Sequence, residues 1–197
     1  MSDAGRNGAP AGTPQRVRLR PAYSQAELAE IYAYPWAFPG AMQDHRLRIN
    51  TTIAVGRWFG QLDSVADLSC GDGEIALGLG AACHYLGDFA HGYPFQGPIE
   101  ETIQQVPDAD LFVCSETLEH VDDPDAVLRA IRPKCRYLLA STPIGEWNPE
   151  HNPEHYWGWT LEAFGMMLEE ADFRKVVLVT LWTPPPYLYD YQIWLCE

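Results

Sequence analysis

Apolar residues recur along the chain in short runs that are separated by polar or glycine-bearing turns. The runs "SVADL", "CHYLGD", "DLFVC" and "RYLLAS" are typical of buried strands. The segments "PIEETIQQV" and "DPDAVLRAI", which lie between the later runs, have helical character. This β–α alternation predicts a mostly parallel sheet with crossover helices, and hence an α/β fold.

The two ends of the pattern differ from its middle. The runs "FRKVVLVTLW" and "LYDYQIWLC" flank the turn-forming "TPPPY", which predicts two antiparallel strands at the carboxyl-terminal edge of the sheet. Only a few residues separate Asp88 from "FQGPIE", so we expect a shortened second crossover. Upstream, "SQAE" predicts a capped short helix that ends at "YAYPWAFPG", and "DHRLRINTTIAVGRWF" predicts a second helix.

Composition and charge divide the chain unevenly. With 197 residues and 47% hydrophobic content, the chain fits one globular domain. Residues 1–22 are rich in Gly, Ala and Pro and carry a net charge of +3, so we predict a flexible basic arm there and a folded domain over residues 23–197. That domain carries the remaining −17 of the total charge of −14. Such an anionic body repels nucleic acid and favours small neutral or cationic substrates.

Cysteine usage and hydropathy indicate the compartment. The five cysteines show no CxxC spacing, and most lie in or beside apolar runs, which is typical of a reducing setting. No apolar run approaches the roughly 18 residues that span a bilayer. We therefore expect a cytoplasmic protein without a membrane partner, and the oligomeric state stays open.

A glycine turn follows the first predicted strand of the sheet. The segment "GDGEIA", from Gly71 to Ala76, satisfies the GxGxxA pattern of dinucleotide-binding proteins, and Asp88 follows where a ribose-binding acid belongs. By itself this pattern fits a nicotinamide enzyme. Such a dehydrogenase would also need a substrate domain, for which the chain has little room.

The longer segment "VADLSCGDG" resembles the first motif of class I S-adenosylmethionine-dependent methyltransferases, which has an Asp before a glycine-rich turn. The resemblance implies a Rossmann-like methyltransferase fold with S-adenosylmethionine as the methyl donor. It departs from the family at Ser69, where a glycine is usual, and at Pro98, where "FQGPIEE" replaces the acid of a "QGD" stretch. The residues that the resemblance assigns to the cofactor are Asp67, Ser69, Gly71, Gly73, Asp88, Gly97, Ile99 and Ser115.

A second cluster of polar residues, "SETLEHV", follows "DLFVC". Its Glu116, Glu119 and His120 would share one face if the segment were helical, and carboxylate-rich sites suit Mg²⁺ or Mn²⁺. The pattern ExxEH resembles two metal-dependent branches of the family, the ubiquinone-pathway O-methyltransferases and the small-RNA terminal-ribose 2′-O-methyltransferases. The alternative is that Glu and His only orient the loop through hydrogen bonds, as in methyltransferases that bind no metal.

The match with the RNA-modifying branch extends further along the chain. The segment "STPIGEWN" is similar to its TPNxExN stretch, and "HYWGWTLEAF" repeats its HxxxWTxxxF spacing. The resemblance makes His155 the fourth metal ligand, with His151 and Glu154 as nearby substitutes. We also expect the aromatic residues Trp147, Tyr156, Trp157 and Trp159 to wall the substrate pocket.

Three functions remain open from the sequence. The first is metal-assisted O-methylation of a small molecule with vicinal hydroxyls, such as a sugar, nucleoside or catechol, in which His120 or His155 takes the proton. The second is 2′-O-methylation of an RNA 3′-terminal ribose, and the third is a cofactor-binding module without catalysis. The anionic body favours the first.

Overall fold

The computed structural model describes residues 14–32, 45–150, 152–183 and 189–197. Its strands are β1 (Arg16–Arg18), β2 (Ser64–Asp67), β3 (Cys83–Asp88), β4 (Phe95–Gln96), β5 (Ala109–Ser115), β6 (Cys135–Ile144), β7 (Trp157–Trp159), β8 (Lys175–Leu181) and β9 (Asp190–Cys196). Its α-helices are α1 (Gln25–Ile31), α2 (Arg46–Gly56), α3 (Glu74–Gly78), α4 (Ile99–Thr102), α5 (Pro124–Ile131) and α6 (Leu161–Glu170). Short 3₁₀ turns lie at Arg57–Phe59, Leu118–His120 and Arg132–Lys134.

Seven strands form one sheet in the order β4-β3-β2-β5-β6-β9-β8. The first five are parallel, whereas β9 runs antiparallel to both β6 and β8. The central strands read as continuous apolar runs because both of their faces are covered, as in other parallel sheets. The prediction of a mostly parallel sheet with an antiparallel carboxyl-terminal edge is confirmed.

The sheet separates two apolar clusters. On one face, Val127 and Leu128 of α5 and Phe164 of α6 pack against inward residues of the central strands. On the other face, Val55 of α2 and Leu79 after α3 pack against the alternate residues of the same strands. The sheet therefore forms the middle of three layers.

The connection between β3 and β4 is short. Only residues 89–94 join these parallel strands, and they contain no helix, so the predicted shortening of the second crossover is confirmed. The strands approach closely at Gly87, where a Cβ atom would lie 2.5 Å from the carbonyl oxygen of Phe95. A side chain at Gly87 would therefore force β4 away from the sheet.

The segment before α1 differs from the predicted arm. Residues 1–13 of that arm lie outside the described residues, but β1 pairs with β7 in an antiparallel two-stranded sheet. Because side chains alternate along a strand, Arg16 and Arg18 share one face, and both guanidinium groups stack on the ring of Trp157, at 4.4 and 5.0 Å from its centroid. The prediction of a flexible arm is therefore wrong for β1. Its pairing partner β7 lies far along the chain, so no local pattern indicated the strand.

The helix α1 has the predicted cap. The Ser24 hydroxyl accepts a hydrogen bond from the Glu27 backbone, and the Glu27 carboxylate accepts one from the Ser24 backbone, which is a capping box. No residue of α1 is fully buried, so its own packing contributes little to holding it in place. Within the described residues, no helix combines the length and apolarity needed to cross a membrane.

Two truncated chains test the role of β1. We expect a chain that begins at Tyr23 to be less stable than one that begins at Pro14 by about 2 kcal/mol, because it lacks the β1–β7 pairing and two stacked guanidinium groups. That loss corresponds to a melting temperature about 4–8 °C lower for a domain of this size. Thermal unfolding followed by circular dichroism measures the difference. Equal melting temperatures would show that β1 does not stabilise the domain.

Candidate functional site

A cavity of about 420 Å³ lies at the carboxyl edge of the sheet. Residues that follow β2, β3 and β5 form its floor, and α1 and α2 contribute side chains such as Leu28 and Ile49. Open α/β sheets bind ligands at this edge because the loops after neighbouring parallel strands meet there. Seven of the eight residues that the sequence assigned to the cofactor line the cavity, namely Asp67, Ser69, Gly71, Asp88, Gly97, Ile99 and Ser115.

The glycine turn is fixed by backbone geometry and by one carboxylate. Gly71 and Gly73 have φ angles of 59° and 78°, which are strained for any residue with a side chain. Gly73 is the N-cap of α3 and does not line the cavity. The Asp88 carboxylate accepts hydrogen bonds from the backbone N–H groups of Gly71, at 2.8 Å, and Ala90, at 2.9 Å. Asp88 therefore ties the end of β3 to the turn after β2.

The loop that replaces the second crossover helix also contacts the glycine turn. The hydroxyl of Tyr93 donates a hydrogen bond to the carbonyl oxygen of Gly71. Burial is the main cause that raises the pKa of Tyr93 to about 12, so this hydroxyl stays a donor near neutral pH. Phe89, from the same loop, lines the cavity beside Gly97, whose φ angle of 134° only glycine adopts readily.

Asp67 ends β2 beneath the cavity. Its carboxylate accepts a hydrogen bond from the backbone N–H of Ser69 at 3.3 Å. Burial is the largest cause that raises the pKa of Asp67 to about 7, and the charge of Asp88 adds to it. The Ser69 hydroxyl, in place of the usual glycine, lies 2.6 Å from that of Thr117 and so links the loops after β2 and β5.

The pKa of Asp67 makes stability depend on pH. Because the folded-state pKa lies above the unfolded value near 3.9, the wild-type chain loses stability as the pH rises from about 4 to about 7. We expect Asp67→Asn to raise the free energy of unfolding by about 4 kcal/mol at pH 8 and about half as much at pH 5.5. Urea denaturation at the two pH values measures this.

The exposed Asp63 offers the matched control for that experiment. Asp63→Asn should change the free energy of unfolding little at either pH, since an exposed carboxylate has no desolvation cost to remove. If Asp67→Asn raised the free energy of unfolding equally at pH 5.5 and pH 8, the result would contradict the raised pKa of Asp67.

The turn "SETLEHV" is not a continuous helix. Only Leu118–His120 form a 3₁₀ turn, and Glu116 has a φ angle of 53°, in the left-handed region. The expected common face of Glu116, Glu119 and His120 is therefore wrong. Glu116 instead ends a hydrogen-bonded series in which Arg48 Nη1 donates to Ser115 Oγ at 2.6 Å, and the Ser141 hydroxyl donates to Glu116 Oε1 at 2.9 Å. The two serine hydroxyls are 2.7 Å apart.

Three of the four predicted metal ligands converge. One ligand atom from each of Glu119, His120 and His155 lies within 4.8 Å of the others. Glu116 lies outside this group, Glu154 lines the cavity nearby, and His151 lies outside the described residues. The loop after β5 and the segment before β7 therefore meet, as expected from the resemblance that placed His155 beside Glu119 and His120.

Glu119 carries a carboxylate without a partner. The residue is 1% exposed, and neither carboxylate oxygen has a hydrogen-bond donor on another described residue. Burial, followed by the negative charge of Glu116, raises the pKa of Glu119 well above its usual range. A buried carboxylate of this kind costs free energy unless a proton or a cation neutralises it. Glu119 therefore fits a cation ligand.

The two imidazoles are stacked edge to face, with ring centroids 4.6 Å apart. His120 Nδ1 lies 3.1 Å from the carbonyl oxygen of Glu154, which can only accept, so Nδ1 carries the proton and Nε2 keeps its lone pair. Burial is the main cause that lowers the pKa of both imidazoles, for His155 to about 4. Both rings are therefore neutral near pH 7, which is the form that binds metals or accepts protons.

The aromatic wall is not the predicted one. Of the described residues, Tyr32, Phe89 and Tyr189 are the aromatic ones that line the cavity. Those that the sequence suggested serve the structure instead: Trp157 stacks beneath β1, and Trp159 packs on Phe164 in the core. The expectation that Trp147, Tyr156, Trp157 and Trp159 wall the pocket is wrong.

Arg48 and Tyr32 are among the polar side chains of the cavity that were not predicted from the sequence. Arg48 is 7% exposed, and its position four residues before the buried Thr52 and seven before Val55 places it on the inward face of α2. That spacing was a signal that could have revealed it. Tyr32, whose hydroxyl lies 3.2 Å from His120 Nδ1, follows α1 and had no such signal.

Comparison with known proteins defines the fold. No family model and no curated protein match the sequence. Among solved structures, the magnesium protoporphyrin IX methyltransferase of Synechocystis with bound S-adenosylhomocysteine has a TM-score of 0.64 at 12% identity, over 88% of this chain and 99% of that one. The 1,6-didemethyltoxoflavin-N1-methyltransferase of Burkholderia thailandensis has a TM-score of 0.62 at 14% identity, over 96% and 97%.

A third similar structure is the N-methyltransferase NodS of Bradyrhizobium japonicum in complex with S-adenosylhomocysteine, with a TM-score of 0.60 at 12% identity over 86% of this chain and 96% of that one. At these identities the likeness establishes the fold alone. The chain has the Rossmann-like fold of class I S-adenosylmethionine-dependent methyltransferases.

Proposed function

We propose that the chain is an S-adenosylmethionine-dependent methyltransferase that transfers a methyl group to a hydroxyl of a small molecule with vicinal hydroxyls, assisted by a divalent cation. One observation carries the proposal. The carboxylate of Glu119, which has no hydrogen-bond partner among the described residues, converges with two neutral imidazoles, and these imidazoles line the cavity that also contains the glycine turn. Methyl donor and acceptor would thus meet at one place.

The cofactor end of the cavity supplies complementary groups. Gly71 and Gly97 have no side chain to block a close approach, and Asp88 provides carboxylate oxygens for the two ribose hydroxyls. Arg48 offers a positive charge for the carboxylate of the cofactor's amino-acid end. When bound, S-adenosylmethionine supplies an electrophilic methyl group on a sulfonium.

The residues of this group fit a bound cation, because the buried carboxylate of Glu119 has no hydrogen-bond partner among the described residues. Glu119, His120 and His155 would hold the ion. Of the two ions considered from the sequence, Mn²⁺ suits two imidazoles and one carboxylate better than Mg²⁺, which prefers oxygen ligands. When bound, the ion supplies a positive charge that lowers the pKa of a coordinated hydroxyl.

The chain's own groups complete the chemistry. An in-line methyl transfer needs a deprotonated acceptor oxygen. A ring whose Nε2 holds the ion cannot also take that proton, so the base would be whichever of His120 and His155 is not bound to the ion. The side chains of Gln25, Leu28 and Tyr32 cover the acceptor end, which excludes water and holds the acceptor against the donor.

The same features favour a small acceptor over RNA. Arg16 forms an ion pair with Asp125 at 2.6 Å, and Arg18 pairs with Asp122, so these cations are already neutralised. Arg20 stacks on Tyr23 and donates to the carbonyl oxygen of Pro153. A chain of charge −14 in which Arg16, Arg18 and Arg20 are occupied offers little to a phosphate backbone.

The cofactor assignment predicts the effect of a change at Asp88. We expect Asp88→Asn to weaken S-adenosylhomocysteine binding by about 2 kcal/mol, or about 30-fold, because the neutral amide accepts fewer hydrogen bonds than the carboxylate. Isothermal titration calorimetry measures this, with Asp108→Asn, at a side chain 79% exposed, as the control. An unchanged affinity in Asp88→Asn would show that Asp88 does not contact the cofactor. If the wild-type chain bound NAD more tightly than S-adenosylhomocysteine, the cofactor assignment would be wrong.

The metal assignment predicts opposite results for two glutamates of one turn. A chelator should abolish turnover on a panel of diols without releasing the cofactor, and Mn²⁺ should restore it. Glu119→Gln should lose Mn²⁺ binding and most activity, since Glu119 supplies the carboxylate of the converging group among the described residues. Glu116→Gln should keep Mn²⁺ affinity within a few-fold, because Glu116 is bonded to Ser141 instead.

The controls separate the competing functions. Full activity in excess chelator would mean that Glu119 and His120 bind no metal and only orient the loop after β5 through hydrogen bonds. Cofactor binding without turnover on any diol would favour a non-catalytic module, and salt-sensitive RNA binding by the wild-type chain would favour an RNA acceptor.

A further inference from the structure

The segment "STPIGEWN" contributes a buried glutamate that has no part in the chemistry above. Glu146 follows β6 and is 4% exposed. Its Oε2 atom contacts Nδ1 of His155, which is also 4% exposed. The hydroxyl of Tyr189 hydrogen-bonds to the same carboxylate. A carboxylate buried to this extent is held by its partners, and both His155 and Tyr189 line the cavity.

We propose that Glu146 is a positioning residue that holds His155 in the Nδ1–H tautomer and so keeps Nε2 an acceptor, which in this structure takes the hydrogen bond of the cavity-lining Asn152 and which a ligand would take over. A carboxylate can only accept a hydrogen bond, so the contact with Nδ1 requires a proton on that nitrogen. The orienting role stands on this contact. Its use in binding a cation rests on the proposed function.

A second contact gives the same tautomer independently. The backbone N–H of Glu154 donates to Oδ1 of Asn152 at 2.9 Å, which fixes the orientation of that amide. Its Nδ2 group therefore points at His155 Nε2, 2.9 Å away, and an amide N–H can only donate. Nε2 must accept, so it carries no proton. Both nitrogens of the ring are thus assigned by partners whose own roles are fixed.

The backbone around Glu146 is held as firmly as its side chain. The preceding Gly145, with a φ angle of 64°, donates its N–H to the carbonyl oxygen of Trp159 at 2.9 Å. At Gly158, a Cβ atom would lie 1.9 Å from the carbonyl oxygen of Glu146, so β7 can pack here only with glycine. His155 stands just before β7. One strand contact therefore places both members of the Glu146–His155 pair.

This arrangement defines what the pair contributes. A hydrogen bond from Nδ1–H to a carboxylate fixes the plane of the imidazole and makes Nε2 a better electron-pair donor. His155 is thereby oriented before any ligand arrives. Loss of the carboxylate should weaken every function of Nε2 without unfolding the chain.

The wild-type chain tests the tautomer without any metal. In ¹⁵N-labelled protein at pH 7, the imidazole of His155 should show a protonated Nδ1 and an unprotonated Nε2. The imidazole signals of His155 are identified as those that are missing from the spectrum of His155→Gln. A protonated Nε2 in the wild-type chain would overturn the proposal, whatever any variant does.

The variant Glu146→Gln tests the role of the carboxylate. A glutamine amide can donate as well as accept, so in this variant only the contact with Asn152 still selects the tautomer, and we expect the Nδ1–H fraction of His155 to fall below that of the wild type with the fold retained. Mn²⁺ affinity, measured by calorimetry, should fall about 10- to 100-fold. Glu150→Gln, which removes the same charge from an exposed position four residues away, should leave both measurements unchanged.

The outcomes separate this inference from the proposed function. An Nδ1–H fraction in Glu146→Gln equal to that of the wild type, or an equal Mn²⁺ affinity, would overturn the positioning role, because Asn152 alone would then suffice to orient His155. A wild-type chain that keeps the Nδ1–H tautomer but binds no Mn²⁺ would count against the metal and still support the orientation of His155 by Glu146.

Discussion

Uncompensated negative charge at the carboxyl edge of the sheet is the constraint on which this site depends. The carboxylates Asp67, Asp88 and Glu119 are all buried, and Asp67 feels the charge of Asp88. Arg48 is the single buried guanidinium or ammonium group among the described residues. Burial of a carboxylate without a partner costs several kcal/mol, so the fold stores an excess of acceptors at this edge. Backbone N–H groups donate to Asp67 and Asp88. Under the proposed function, the further donors and positive charge would come from ribose hydroxyls, a sulfonium and a divalent cation.

The excess is tolerated because the frame around it is rigid. Parallel strands buried on both faces bring the ends of β2, β3 and β5 to fixed positions, and Asp88 joins two of those ends through backbone hydrogen bonds. Serine and threonine hydroxyls join the third. The acidic groups therefore cannot relax away from one another or towards solvent without breaking the loops that hold them, and the cost of their burial is met by the packing of the whole sheet.

Much of this could be predicted from the sequence, because strands and turns are set by local pattern. The span of β3 and the capping box at Ser24 were predicted from their residues alone, and so was the shortened connection to β4. The failures share a different cause. The left-handed backbone of Glu116 depends on the serine hydroxyls beside it, and β1 depends on Trp157, more than a hundred residues away. Neither partner is visible in a local pattern, and the same holds for the tryptophans that pack in the core instead of lining the pocket.

The position of His155 relative to Glu119 shows how such distant segments become one site. The backbone N–H of Tyr156 donates to the carbonyl oxygen of Glu119 at 2.6 Å, so the residue after one proposed ligand is bonded to the backbone of the other. The carbonyl oxygen of Tyr156 in turn accepts from the backbone N–H of Leu19, which extends the β1–β7 pairing to the same segment. Backbone hydrogen bonds have little conformational freedom, unlike long side chains, so they set the separation of the two ligands more firmly than side-chain contacts could. The amino-terminal strand thus stabilises the site from outside it, although it contributes no residue to the cavity floor.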